Sequence, residues 1–485
     1  MKTSVTGPVR VRFAPSPTGF LHVGGARTAI YNELLRENLG GSFILRIEDT
    51  DAQRSDAAMI EQICSGLRWI GVQWDEGPFL QSDGLERHQQ AAQQLLEQGK
   101  AFRCFRTSEE IEAARSQAQA KGETLRYRDF FAPPSADEEA QRLAAKEPFV
   151  VRFRCSDDSL HFSDLVRGEV EFPAGSLDDF VILRSDGSPT YHLSVVCDDV
   201  EMRVTHVIRG DDHLSNTPKH VDLFRALGAP VPVFVHLPLI LGSDKKRLSK
   251  RTGATSVEEF RDQGFLPQAL YNALGLLGWS PGGDREIMSR KEMVELFTVE
   301  RINSSAAIFD RDKLSWLNAQ YMSSLSLEEV AKYASPFLAP LGLDGLEGES
   351  RQRLMAALEL HRSRAKTLEE LGPMLVPYFQ EELVYVVESC QKFLSQESLP
   401  GHLEALAARF AALEEFSPEA LEQELRQLSE AVEVKAGVLI HPTRMALTAS
   451  KKGPSLFELV ATMGREATGR HLANFVGFLG REGSS

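Results

Sequence analysis

Val9-Arg10-Val11-Arg12-Phe13-Ala14-Pro15-Ser16-Pro17-Thr18-Gly19-Phe20-Leu21-His22-Val23-Gly24-Gly25 is the stretch that decides the fold. Its first six residues alternate as a strand does. Pro15 to Gly19 then break the strand. A helix is expected from about Gly24, with Ala26, Ile30 and Leu34 on one face. Ser42 to Ile47 reads as a second strand. Strand, turn, helix, strand is the opening of an open parallel α/β sheet.

Working outward, the pattern pauses and resumes. Residues 105–148 are charged and rich in Ala, Gln and Glu, and read as helix and loop. Short strands follow, among them Phe149 to Arg154 and Asp179 to Leu183, with a hairpin turn at Ser185-Asp186-Gly187-Ser188. The parallel pattern returns at Val204 to Ile208, with a helix through Leu227 and a buried strand from Phe234 to Leu241. From Val257 onward the chain reads as helical. The expected layout is a sheet begun in 1–104, an α+β insertion over 105–190, the second half of the sheet over 191–245, a connecting region over 246–324, and an all-α region over 325–485 with a break near 375.

A chain of 485 residues holds roughly three domains. Apolar residues at 42% and charged residues at 25% exclude a disordered or collagen-like chain. No apolar run approaches the ~20 residues of a membrane helix. Met1 to Arg10 has no apolar segment of a secretory signal, so a cytoplasmic protein is expected. The five cysteines, Cys64, Cys104, Cys155, Cys197 and Cys390, are scattered and read as reduced thiols. A net charge of −15 argues against bulk coating of nucleic acid, but not against one local basic face.

Two segments offer a phosphate site. A glycine-rich helix start after a strand presents backbone N–H groups to phosphate. It is no P-loop, because Gly25-Ala26 follows Gly24, and the G-x-G-x-x-G fingerprint is absent from it. His22 is either a cap beside the turn or a donor to phosphate. In Asp244-Lys245-Lys246-Arg247-Leu248-Ser249-Lys250-Arg251 five of eight residues are basic. It reads either as a solvated loop or as a clamp on a polyphosphate at the carboxyl end of a strand.

Together these segments resemble the two signatures of class I aminoacyl-tRNA synthetases. His22-Val23-Gly24-Gly25 stands for His-Ile-Gly-His, and Arg247-Leu248-Ser249-Lys250-Arg251 for Lys-Met-Ser-Lys-Ser. Leu45 to Asp51, Trp74 to Pro78, Asp186 to Tyr191, Val207 to His213, Lys313 to Asn318 and Pro442 to Thr448 narrow the resemblance to bacterial-type glutamyl-tRNA synthetases. It runs the full length, which separates the chain from a truncated tRNA-modifying paralogue. The helical C-terminus separates it from glutaminyl-tRNA synthetases, whose anticodon module is a β-barrel.

The resemblance implies a class I Rossmann-like catalytic domain, an acceptor-stem-binding insertion and a helical anticodon-binding region. It implies ATP and Mg²⁺, with L-glutamate and tRNA(Glu) as substrates, and a monomer. Arg12, Arg209 and Tyr191 would face the glutamate side-chain carboxylate, with Glu48 on the ammonium and Ser16 nearby. Ala14, Pro15, His22, Gly24, Gly25 and Asp212 would hold ATP. Arg247, Ser249 and Lys250 would steady the leaving pyrophosphate. Arg364 would read the last anticodon base, although it also reads as one more exposed helix arginine. Plainer readings exist for Arg12, a strand-edge ion pair, and for Glu48, a helix cap. Two departures stand out. Members with structural zinc carry more thiols than Cys104 supplies near Tyr127, and one cysteine cannot close a four-ligand site, so no zinc is expected. Asp211 stands where the family has glutamate. A catalytically silent paralogue would be expected to have lost His22, Lys250 or Arg209, and all three are present.

Overall fold

The first strand, β1 (Val9–Phe13), is followed by helix α1 (Val23–Leu39) and strand β2 (Gly41–Ile47). The computed structural model describes residues 8–50, 57–120, 122, 126–248 and 255–482. Ser249 and Lys250 of the second signature lie outside the described residues. β1 and β2 pair in parallel from Val9↔Gly41 to Phe13↔Leu45. Ala26, Ile30 and Leu34 of α1 are fully buried, on the face the periodicity gave. The helix is buried on its other side too, where Tyr31 packs edge-on against Phe297 at 5.4 Å.

A helix, α2 (Ala57–Ile70), leads to β3 (Glu76–Leu80), parallel to β2. The other half lies beyond β1. Strand β9 (His206–Gly210) begins where Thr205 N–H donates to the Arg10 carbonyl at 2.9 Å. β10 (Val233–Leu237) runs parallel to β9. The chain thus leaves β1 in one direction through β2 and β3 and returns on its other side as β9 and β10. That reversal leaves a crevice at the carboxyl ends of β1 and β9, where open α/β sheets bind ligands.

The insertion is not a separate body. After α3 (Leu85–Glu97), β4 (Ala101–Cys104) pairs antiparallel with β5 (Val150–Phe153), which pairs with β8 (Phe180–Leu183), and helices α4 (Ser108–Ala120), α5 (Tyr127–Phe130) and α6 (Ala136–Ala144) lie between β4 and β5 in the chain. β6 (Leu160–Asp164) pairs in parallel with β10, and β7 (Gly168–Phe172) adds antiparallel to β6. Leu95, Val151, Phe153, Ile182, Leu193 and Leu223 share one core. The expected limits at 104 and 190 therefore cut through a sheet and a core. Helices α7 (Tyr191–Glu201) and α8 (Thr217–Ala226) close this half. The expected strand from Phe234 to Leu241 breaks at Pro238, which has no N–H to give a ladder, and resumes only at Ile240–Leu241.

The chain divides into two compact units, residues 1–260 with 270–310, and residues 261–269 with 311–485. The limit expected at 325 falls at 310. Helix Arg311–Ser324 belongs to the second unit because Asn318 accepts from Leu266 N–H at 2.7 Å and donates to the Lys366 carbonyl at 2.7 Å. The next helix, Leu327–Leu338, starts at a capping box in which Ser326 and Glu329 satisfy each other's backbone N–H. One leucine-rich core runs from Val330 through Leu375 to Met463, so the break expected near 375 does not separate two cores.

Candidate active site

Sequence reasoning placed twelve described site residues at the cleft of the first unit, and all twelve line it. Arg12, Ala14, Pro15, Ser16, His22, Gly24, Gly25, Glu48, Tyr191, Arg209, Asp212 and Arg247 surround a cavity of about 460 Å³. They come from the ends of β1, β2 and β9, the first turn of α1, the start of α7, and the segment after β10.

At α1 the structure shows His22 as a cap. His22 is the N-cap, and its Nδ1 accepts from Gly24 N–H at 3.1 Å. That cap fixes the tautomer, so the proton sits on Nε2 and the ring is a donor there. The Glu48 N–H donates to the Pro15 carbonyl at 2.9 Å, which ties the end of β2 to the break after β1.

The charged floor has two sides. On one side Asp199 of α7 receives Arg12 Nε at 3.3 Å and Arg46 Nη1 at 2.8 Å. The Glu48 carboxyl lies 3.9 Å from Arg46 Nη2. Burial pushes Glu48 up to about 7, against the pull of Arg46 and Arg12. On the other side Arg209 is buried and has no carboxylate within ion-pair distance among the described residues. Its partners are neutral: Nε donates to His236 Nε2 at 3.2 Å, Nη1 to His220 Nδ1 at 3.2 Å, and Nη2 to Thr217 Oγ1 at 2.9 Å. Burial lowers Arg209 to about 10, still charged at neutral pH. Tyr191 Oη lies 3.0 Å from His213 Nδ1, and burial followed by Glu48 pushes the phenol up to about 12, so it keeps its proton.

The rim is solvated. Arg247 Nη2 lies 3.7 Å from Asp212 Oδ2, with both side chains exposed. Asp211 accepts from Arg167 Nη2 at 2.6 Å, so the shortened residue is held by a neighbouring strand pair's turn. An open cleft with a cationic floor, an inward carboxyl and a capped glycine helix start suits an anionic amino acid beside a nucleotide.

Residues 8–316 match the family described as tRNA synthetases class I (E and Q), catalytic domain, and residues 329–476 match an anticodon binding domain. The chain is 44% identical over 470 residues to glutamate–tRNA ligase 2 of Koribacter versatilis, covering 96% of this chain and 98% of that one. It is 44% identical to the glutamate–tRNA ligase of Geobacter sulfurreducens, with 97% and 99% covered. The chain belongs to the glutamate–tRNA ligase family. Its fold matches a crystal structure of a glutamate tRNA ligase from Elizabethkingia meningosepticum in complex with its amino acid, at a TM-score of 0.89, 31% identity, and 98% and 100% coverage.

Within this family member, Arg364 lies in the second unit and is exposed. It sits beside Arg444, whose guanidinium is lowered by burial and then by Arg364. Cys104 is buried with its Sγ 3.0 Å from Tyr127 Oη. Among the described residues no helix is long and apolar enough to cross a membrane. Sequence reasoning gave no role to Arg46, Asp199, His220, His236 or Asp164. The signal was present for two of them: Arg46 and His236 sit inside otherwise apolar strands, where a charged or polar side chain needs a partner.

Proposed function

We propose that this chain activates L-glutamate with ATP and transfers it to tRNA(Glu), rejecting tRNA(Gln). The observation that carries the reading is Arg209, a buried cation at the cleft whose bonding partners are all neutral. A carboxylate of the substrate supplies the missing charge, and the guanidinium geometry selects it over an amide. Arg12 and Tyr191 flank that carboxylate. Glu48 receives the ammonium, with Ser16 at the edge.

The glutamate α-carboxylate then attacks the α-phosphorus of ATP, an O–P bond forms, and pyrophosphate leaves with the electron pair of the broken bond. In the second step a hydroxyl of the terminal adenosine attacks the acyl carbon and AMP leaves. Both steps need alignment and charge stabilisation more than a protein nucleophile. His22 Nε2–H, the backbone around Ala14, Pro15, Gly24 and Gly25, and Asp212 hold the nucleotide. Arg247 and Lys250 neutralise the leaving pyrophosphate, and the Ser249 hydroxyl helps to steady it. No cluster of three or more His, Cys, Asp or Glu fit for a metal occurs among the described residues. Mg²⁺ enters as the counter-ion of ATP, whose phosphates supply most of its ligands.

Arg364 reads the last anticodon base. Cytosine offers acceptors on its pairing edge where guanine offers donors, so an arginine suits the glutamate anticodon. The protein works as a cytoplasmic monomer.

ATP–pyrophosphate exchange measured with and without tRNA tests the activity. Glutamate-dependent exchange in either condition is expected. Its absence in both would leave a silent nucleotide-binding relative.

A further inference from the structure

A buried guanidinium is usually held by carboxylates, because its charge needs compensation. Arg209 is held instead by a shell of imidazoles. Arg209 on β9 and His236 on β10 are register partners across the parallel pair. His220 and Thr217 come from α8, and His192 from α7. A guanidinium can only donate. Both imidazole nitrogens that meet it must therefore be acceptors, and both rings must be neutral.

The rest of the shell fixes those tautomers. The His236 proton lies on Nδ1 and goes to Asp164 Oδ2 at 2.6 Å. Asp164 is itself held by the N–H groups of Val166, Arg167 and His236. The His220 proton lies on Nε2 and goes to His192 Nδ1 at 3.1 Å. Burial lowers all three rings, His192 to about 4. The Phe234 ring lies 5.6 Å beneath the guanidinium. Each face of Arg209 is thus constrained, and among the described residues no carboxylate comes within ion-pair distance of it.

We propose that His220 and His236 are positioning residues that fix the Arg209 guanidinium through neutral acceptors, leaving its full charge for the carboxylate of the substrate. This rests on the reading of Arg209 as the carboxylate ligand. A carboxylate in the place of either ring would orient the arginine equally well. It would also cancel the field that separates an anionic ligand from its amide.

The two rings accept through different nitrogens, and that allows a test. Gln can place an oxygen near an Nε2 position, and Asn near an Nδ1 position. His236→Gln and His220→Asn keep the acceptor, whereas His236→Asn and His220→Gln lose it. The readouts are KM for glutamate and KM for ATP in pyrophosphate exchange, with thermal unfolding of each variant. Loss of the acceptor is expected to raise KM for glutamate roughly tenfold or more, as for a bond to a charged group. The acceptor-keeping variants should stay within about threefold of the parent. KM for ATP should not follow.

Equal impairment by both amides at each position, or parallel shifts in both KM values, would overturn the proposal. Should the histidine variants not fold, Asp164→Asn frees the His236 tautomer without touching Arg209. A raised glutamate KM there supports the proposal, and an unchanged one overturns it. Arg209→Gln separates the two readings. If that variant keeps its glutamate KM, the pocket reading fails. If it loses glutamate while the histidine variants do not, only the positioning role fails.

Discussion

Arg12 and Arg209 enter one cleft from neighbouring strands, and their surroundings treat them in opposite ways. Arg12 meets the buried Asp199 carboxylate, which Arg46 shares. Arg209 meets neutral imidazoles, a hydroxyl and a backbone carbonyl. The first lines the cavity with its charge already matched by a buried carboxylate. The second is a charge that the fold has oriented and left unmatched. Burial alone does not separate them, since both are buried. The charge of the partner does.

The comparison breaks first at Arg209. Arg209→Gln should lower kcat/KM for glutamate roughly 10²–10⁴-fold, the value of a buried charge pair that has lost one member. The loss should fall on glutamate concentration, and KM for ATP should stay close to the parent. Steady-state exchange kinetics with each substrate varied in turn provide the check, and a loss confined to ATP would reverse the assignment.

On the other side, Asp199→Asn removes the counter-charge of two buried guanidinia. A destabilisation of about 3–5 kcal/mol is expected in urea unfolding of the first unit. Arg209→Gln, which removes an uncompensated charge, should leave the unfolding midpoint near or above that of the parent. Equal destabilisation by the two substitutions would erase the distinction between a matched and an unmatched charge.

Between the two arginines stands Glu48, whose carboxyl is pushed up to about 7 by burial. An ammonium needs its ionised form. As pH falls below about 7 the carboxyl takes a proton, and KM for glutamate should rise, approaching tenfold per pH unit; above about pH 8 it should level off. Glu48→Gln should raise KM and flatten this dependence. A parent enzyme with a flat profile between pH 6 and 8 would remove Glu48 from the ammonium site.

The smallest expected effect extends the comparison to the second unit. Arg364 also lacks a carboxylate partner among the described residues, but it is exposed, so solvent carries much of the compensation. Arg364→Gln should relax discrimination against tRNA(Gln) by roughly five- to tenfold. Charging of purified tRNA(Glu) and tRNA(Gln) measures it. Comparable charging of both by the parent protein would remove Arg364 from the reading of the last base.

Much of this molecule was legible in one dimension. The strand at Val9–Phe13, the helix after Gly24 and the strand at Gly41–Ile47 follow from alternation, a proline-glycine break and a 3.6-residue period, all local signals. Arg12, Glu48 and Arg209 were legible through the resemblance to class I synthetases, and each falls near a strand end, where an open parallel sheet carries its site. His22 was legible as a cap for the same local reason.

What the sequence could not settle was which distant side chains meet. Asp199 lies 187 residues from Arg12, and Asp164 lies 72 from His236. Their encounters depend on strand order, which the periodicity of a single segment does not encode. The same gap misplaced the boundaries: β6 joined the catalytic sheet, and residues 261–269 joined the helical unit through Leu266 and Asn318. The sequence by itself determined the elements, the family and the charged groups of the cleft. Tertiary structure alone decided which of those charges are matched, because compensation is a matter of a few ångströms between residues that the chain keeps far apart.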